Sequence, residues 1–210
     1  MPFTASLRPK QLEALPDVDH NGTPEWAVLG SESPWIEIRD AQSRVLVRKI
    51  SLNDDFQVPQ ITVMPDLDGD GDPELAAIRY HPTDGDLRVT VRDPLSGQNL
   101  NGISFGTRNE PIKLVALEDL NGNGAPEATL LVRRKSDGTV LAITRDAGTD
   151  ALVRTINFGP NAQPQDLARI DDINGNGKPE LVMLGRRANG TLRAFVRDAL
   201  TGSMIGSFSF

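Results

Sequence analysis

Apolar residues along this chain come in short runs with polar punctuation, and the runs recur on a fixed period. The clearest stretch lies past the middle. Lys113 to Leu117 (KLVAL) is one run, Glu127 to Arg133 (EATLLVR) a second, Val140 to Asp146 (VLAITRD) a third and Ala151 to Phe158 (ALVRTINF) a fourth. Ser136-Asp137-Gly138-Thr139 and Ala147-Gly148-Thr149-Asp150 separate the last three with the polar and Gly chemistry of tight hairpins. No run reaches helix length with a 3.6-residue period. The pattern predicts four short antiparallel strands per repeat.

The rest of the chain aligns to this unit. The third run ends in Arg-Asp each time, at Arg39-Asp40, Arg92-Asp93, Arg145-Asp146 and Arg197-Asp198. Twelve residues beyond that Asp stands Leu52, Phe105, Phe158 or Phe210. Pro9, Pro111 and Pro164 precede the first run, with Pro59 one place off. A period of about fifty residues is the signature of a repeat architecture, and four strands per repeat is the blade of a propeller. The expectation is an all-β fold, a β-propeller of four-stranded antiparallel blades at 5–52, 58–105, 111–158 and 164–210, one propeller or propeller segment over 1–210. The segment Met1 to Thr4, with Phe3, reads as the tail of a further blade. Trp26, which aligns with Leu75, Ala128 and Leu181, reads as core. The repeated Arg-Asp reads as structural, with Asp opening a turn and Arg lying over a neighbouring strand; a binding ladder is the alternative.

Between the first and second runs of every repeat lies the same nine-residue acidic loop. The copies are Asp17-Val-Asp19-His-Asn21-Gly22-Thr23-Pro-Glu25, Asp66-Leu-Asp68-Gly-Asp70-Gly71-Asp72-Pro-Glu74, Asp119-Leu-Asn121-Gly-Asn123-Gly124-Ala125-Pro-Glu127 and Asp172-Ile-Asn174-Gly-Asn176-Gly177-Lys178-Pro-Glu180. Their first residues are 49, 53 and 53 positions apart. Oxygen side chains at positions 1, 3, 5 and 9 with Gly at 6 suit a hard cation. An EF-hand is excluded, because its ligating Glu at position 12 is replaced by Val28, Ala77, Leu130 and Met183 and the flanks read as strand. The alternative is a metal-free hairpin closed by Asx-turns. That alternative is weakest in the second loop, where four carboxylates within nine residues would repel one another, and stronger in the third and fourth.

Charge sharpens this picture. The net charge is −7, and the loop positions hold eleven carboxylates; without them the remainder would be +4, and with four divalent cations bound the whole would be +1. The acidity is concentrated where a cation would sit. No basic stripe interleaved with aromatics stands out, which argues against a nucleic-acid partner. There are no cysteines, so disulfides and thiolate metal sites are excluded. No run of 18 apolar residues is present, so no membrane insertion is expected, and no signal peptide is visible in the chain.

The Asp-x-[Asp/Asn]-x-[Asp/Asn]-Gly-x-Pro-Glu loops and their flanking strands resemble the FG-GAP/VCBS repeats of integrin α-subunit propellers and of many bacterial surface and secreted proteins, over essentially the whole chain. The resemblance implies a propeller with up to four Ca²⁺, one in each hairpin between first and second strands. It implies ligation by the side chains at positions 1, 3, 5 and 9 and by the main-chain carbonyl at position 7, which belongs to Thr23, Asp72, Ala125 and Lys178. Glu at position 9 departs from the commoner Asp, and its longer reach keeps the site. The implied role is a secreted or cell-surface binding, adhesion or scaffolding module.

No catalytic motif is found: His20 and His81 pair with no nucleophile, and there is no Gly-x-Ser-x-Gly elbow, phosphate-cradling Gly loop or His-Glu-x-x-His. The enzyme alternative, a polysaccharide-lyase-like propeller, rests on fold analogy, and a lectin is a second alternative. A protein or carbohydrate ligand is expected on the face opposite the acidic loops. The candidate segments are Ser31 to Trp35, Tyr80 to Asp86, Arg134 to Thr139, Arg187 to Thr191, Asn53 to Gln60, Gly106 to Pro111 and Gly159 to Pro164, with Trp35, Tyr80 and His81 as stacking residues. For Trp35, packing between blades is the competing role. Four blades are a closed small ring, part of a larger one, or half of an eight-bladed homodimer, and association is the expectation.

Overall fold

A computed structural model describes residues 8–31, 35–52, 55–160, 163–187 and 189–210. The expectation for Met1 to Thr4, and parts of four candidate ligand segments (32–34, 53–54, 161–162 and 188), lie outside the described residues. The fold is a β-propeller of four sheets. The first blade comprises β1 (Pro9–Leu15), β2 (Glu25–Gly30), β3 (Trp35–Asp40) and β4 (Leu46–Ser51); the second β5 (Ile61–Met64), β6 (Glu74–Tyr80), β7 (Leu87–Arg92) and β8 (Asn99–Gly106). The third comprises β9 (Asn109–Leu117), β10 (Glu127–Arg134), β11 (Val140–Asp146) and β12 (Leu152–Gly159); the fourth β13 (Gln163–Ile170), β14 (Glu180–Arg186), β15 (Leu192–Asp198) and β16 (Met204–Ser209). Within each blade every strand pairs antiparallel with its sequence neighbour. Among the described residues no helix is long and apolar enough to cross a membrane.

The central strands of the second and third blades are apolar on both faces because each of these blades is sandwiched between two others. Alternate residues of a strand point to opposite sides. In β10, Ala128, Leu130 and Val132 pack with the second blade, while Leu131 packs with the fourth. Three buried clusters result, each between consecutive blades, and among the described residues none joins the fourth blade to the first. Truncating a fully buried interface residue such as Leu130 to Ala costs about 2–5 kcal/mol.

The outer faces show what a missing neighbour does. Leu75, Ala128 and Leu181 are fully buried against the preceding blade. Trp26 occupies the same place on the first blade and is only half-buried, lining an open cleft with Leu12 and Val28, so the expected core role is corrected. At the far end Phe105 is buried but Phe210 is 78% exposed.

Polar staples tie the innermost strands together. The Gln11 amide donates to the Ile61 carbonyl at 2.8 Å and accepts from the Ile61 N–H at 2.9 Å. Gln60 does the same to Leu114 at 2.9 and 2.8 Å. Between the third and fourth blades an ion pair of Lys113 with Asp166, at 3.2 Å, takes that place.

Pro59 precedes β5 as expected, whereas the other three prolines sit inside the first strands of their blades. β1 begins at Pro9, and Pro111 and Pro164 lie within β9 and β13 where the register shifts. A bulge leaves a backbone position without a ladder bond, and Pro has no N–H to lose there.

Candidate metal centres

Each acidic loop closes the first hairpin of its blade, and its backbone is the same in all four. The Gly at position 6 has φ of 92°, 96°, 89° and 78°, the left-handed region that favours glycine. That turn aims two main-chain N–H groups at the position-1 carboxylate in the first and second loops and three in the third and fourth, where Asn123 and Asn174 add theirs at 3.3 and 3.0 Å. Asp17 accepts from Asn21 and Gly22 at 2.9 and 2.7 Å, and Asp66 from Gly69 and Gly71 at 2.7 and 2.9 Å. Asp119 accepts from Gly122 and Gly124 at 2.7 and 2.8 Å, and Asp172 from Gly175 and Gly177 at 2.7 and 2.6 Å. These bonds, led by Gly124 and Gly177, hold Asp119 and Asp172 below the usual carboxylate range.

The position-9 glutamate is the chemically demanding group. Glu25, Glu74, Glu127 and Glu180 open the second strand and are buried, at most 2% exposed. One oxygen accepts from the main-chain N–H at position 2: Val18 at 2.8 Å, Leu67 at 2.9 Å, Leu120 at 2.8 Å and Ile173 at 3.0 Å. The other oxygen of Glu25, Glu127 and Glu180 is buried with no hydrogen-bond partner. Cross-strand register places Asp40, Asp146 and Asp198 opposite these three. Burial, reinforced by Asp66 and Asp68, pushes Glu74 up to about 7; burial, reinforced by Asp119 and Asp146, does the same to Glu127. Burial raises Glu25 as well. A buried carboxylate with an unsatisfied oxygen beside like charges is relieved by a proton or a cation.

Two loops gather enough carboxylates to hold a metal ion. Ligand oxygens of Asp17, Asp19 and Glu25 lie within 4.8 Å of one another, as do those of Asp66, Asp68 and Glu74. Asp70 stands outside its cluster, accepting from the Asp72 N–H at 2.9 Å. In the third and fourth loops, Asn121, Asn123, Asn174 and Asn176 take the middle positions, and each accepts at Oδ1 from the main-chain N–H two residues on.

The structure adds residues to the loops that the sequence pattern did not assign to them. Asp40, Asp146 and Asp198 open the next hairpin, as expected, accepting at Oδ1 from Ser43, Thr149 and Thr201 N–H. Their Oδ2 atoms turn toward the acidic loop and accept from Asn amides there. Position 7 also does more than offer a carbonyl. Lys178 Nζ donates to the Asp119 carbonyl at 2.8 Å, the Thr23 hydroxyl donates to Asp40, and Asp72 stands 3.6 Å from His20 of the first loop. Ala125 packs near Gly148.

The repeated arginine is structural. Arg39, Arg92, Arg145 and Arg197 each donate to a carbonyl of the following hairpin, at Arg44, Gly97, Asp150 and Gly202. Arg145 and Arg197 also lie 6.0 and 5.9 Å over Phe105 and Phe158 of the preceding blade. At the opposite end from the acidic loops, His81 meets Phe56 edge-on at 5.3 Å, Arg79 covers Phe56 at 4.0 Å and Lys135 covers Tyr80 at 5.4 Å. Trp35 is half-buried under Lys49 of its own blade, at 3.5 Å.

No protein-family model and no curated protein matches the chain. Solved structures do. Hydrazine synthase of Kuenenia stuttgartiensis superposes with a TM-score of 0.64 at 18% identity, over 99% of this chain and 50% of that one. The Dos1 propeller gives 0.57 at 12% identity, over 89% and 44%, and the exotype rhamnogalacturonan lyase YesX gives 0.55 at 15%, over 98% and 50%. The chain spans half or less of the length of each. The likeness is one of fold, and this fold serves both enzymes and other modules.

Proposed function

We propose that the chain is a calcium-binding β-propeller of the FG-GAP/VCBS type, acting as a secreted or cell-surface binding, adhesion or scaffolding module. The observation that carries this is the first loop, where the buried, unpartnered oxygen of Glu25 belongs to a residue clustered with Asp17 and Asp19. Calcium takes oxygen donors in flexible geometry, and carboxylates, Asn carbonyls and a main-chain carbonyl supply them without any nitrogen or sulfur ligand. Bound calcium rigidifies the first hairpin of every blade and leaves the opposite end to a protein or carbohydrate partner, where Tyr80 and His81 lie. Loops with two carboxylates suit the weak sites of extracellular modules, with dissociation constants of about 10⁻⁴–10⁻³ M. The test is calorimetric titration of chelator-treated protein with calcium and with magnesium. Uptake of calcium with poor competition by magnesium is expected; no heat with either ion contradicts the reading.

Pairing of two copies about a two-fold axis, giving eight blades, completes this reading. Leu12 on the first blade's outer face and Phe208 on the fourth's are 58% and 61% exposed, and an outer blade face of this composition is one that soluble proteins cover. Light scattering should find a dimer that resists dilution, and a monomer near 22.8 kDa at all concentrations contradicts pairing.

A further inference from the structure

Asparagine occurs five times at loop positions 3 and 5, and every time its NH₂ group is held by the Asp at the end of the third strand. Asn21 Nδ2 donates to Asp40 Oδ2 at 3.3 Å. Asn121 and Asn123 donate to Asp146 Oδ2 at 3.1 and 2.6 Å. Asn174 donates to Asp198 Oδ2 at 2.9 Å, and Asn176 donates to the same oxygen. The second blade is the internal control. Its loop has Asp68 and Asp70 at these positions, and Asp93, the residue equivalent to Asp146, accepts only from its own hairpin, from Leu95 N–H and from Ser96 N–H and hydroxyl, among the described residues.

We propose that Asp40, Asp146 and Asp198 are positioning residues that set which end of each loop asparagine faces the cation site. An amide presents an acceptor at one end and a donor at the other, and only the oxygen can ligate a cation. A carboxylate accepts only, so the amide can face Asp146 with nothing but its NH₂. That turns Oδ1 of Asn121 and Asn123 into the loop, where each accepts one main-chain N–H, at 3.0 and 2.9 Å, and keeps a second lone pair. A loop Asp needs no such orientation, since its two oxygens are alike, and aiming Asp93 at Asp68 and Asp70 would set like charges together. Each positioning Asp also returns, one residue further out, a negative charge that Asn removed from the loop.

This rests on the calcium reading above, so the test has one readout with the metal and one without. Three forms of the third blade are compared with the wild type: Asp146→Asn, Asn121→Asp with Asn123→Asp, and all three changes together. Asp146→Asn keeps shape and an Oδ1 acceptor for Thr149 but sets NH₂ groups against NH₂ groups. Occupancy of the third loop is followed through the Gly122 and Gly124 amide signals, and of the second loop through Gly69 and Gly71. Asp146→Asn should weaken calcium at the third loop by about 10–100-fold, the usual cost of losing an outer partner of a ligand. The triple form reverses the direction of the hydrogen bonds and should recover most of that loss. Asp93→Asn should leave the second loop within about threefold, since it severs no contact to a ligand. A purely structural Asp146 predicts no rescue, and equal losses for Asp93→Asn and Asp146→Asn overturn the proposal. In chelator, the side-chain NH₂ signals of Asn121 and Asn123 should be protected from exchange and lose that protection in Asp146→Asn. Unchanged protection overturns the positioning role even if calcium binds. If wild-type protein takes up no calcium while protection behaves as stated, the calcium reading falls and the orienting contact stands.

Discussion

The second and third acidic loops share a backbone and reach the same oxygen-lined turn by different chemistry. In both, two glycine N–H groups hold the first Asp and a main-chain N–H holds one oxygen of the buried Glu. The second loop lines the turn with carboxylates alone, and Asp66, Asp68 and Glu74 converge. The third uses two amides, each tied to Asp146. The lesson is that charge inside a turn can be exchanged for orientation imposed from outside it. A loop built on carboxylates repels itself until a cation arrives, whereas the amides of the third loop are held by Asp146 and the group left wanting there is the buried, unpartnered oxygen of Glu127.

Removing calcium should have the largest effect. A ligand bound only by the folded state adds about 2.7 kcal/mol at a hundredfold excess over its dissociation constant, on the order of 5–10 °C in melting temperature per site for a chain of this size. Differential scanning calorimetry with and without chelator measures it. Asp66→Ala should remove more of the calcium-dependent shift than Asp119→Ala, and an equal loss erases the distinction between the loops.

A pH series sharpens the same comparison. Glu74 and Glu127 sit at about 7 in the calcium-free fold, chiefly through burial. A group whose folded value exceeds its unfolded one favours the fold while protonated; that contribution is complete below the ordinary carboxylate range and is lost as pH rises through about 7. In chelator, melting should therefore fall between about pH 4.5 and about pH 7, and the increment given by calcium should widen over the same window. A chelated protein that gains stability across that window contradicts the assignment of these glutamates.

The smallest effect tests what the loops share. Gly71 and Gly124 have φ of 96° and 89°, and an added Cβ would meet nothing within 4 Å at either. Replacing each by Ala in chelator should cost about 1–2 kcal/mol, the same for both, because backbone strain alone is at issue. Unequal costs in urea unfolding would show that the two turns are not the same turn.

Much of this was legible in the sequence. Strand β11 begins and ends where the apolar run does, β10 runs one residue past its run, β12 is shifted by one residue at both ends, and β9 starts four residues before its run. All four loops fall where their spacing places them, because local turn chemistry determines them. What depends on register was hidden. Asp146 is 23 and 25 residues from the asparagines it holds, and its visible duty, opening the next hairpin, fully accounts for an Asp at that place. Trp26 aligned with core residues, but burial there requires a preceding blade. Tyr80 and His81 were visible as candidate stacking residues, whereas their cover by Lys135 and Phe56, which leaves both half-buried, comes from other loops.

The central claim is that carboxylate-built and amide-built loops both bind calcium, the former more tightly. A calcium titration of chelator-treated protein, followed through the backbone amides of Gly71 and Gly124 in one sample, tests it most directly. The account predicts that both signals move and that Gly71 reaches its end point at the lower calcium concentration. Gly124 saturating first, or neither signal moving, would contradict it.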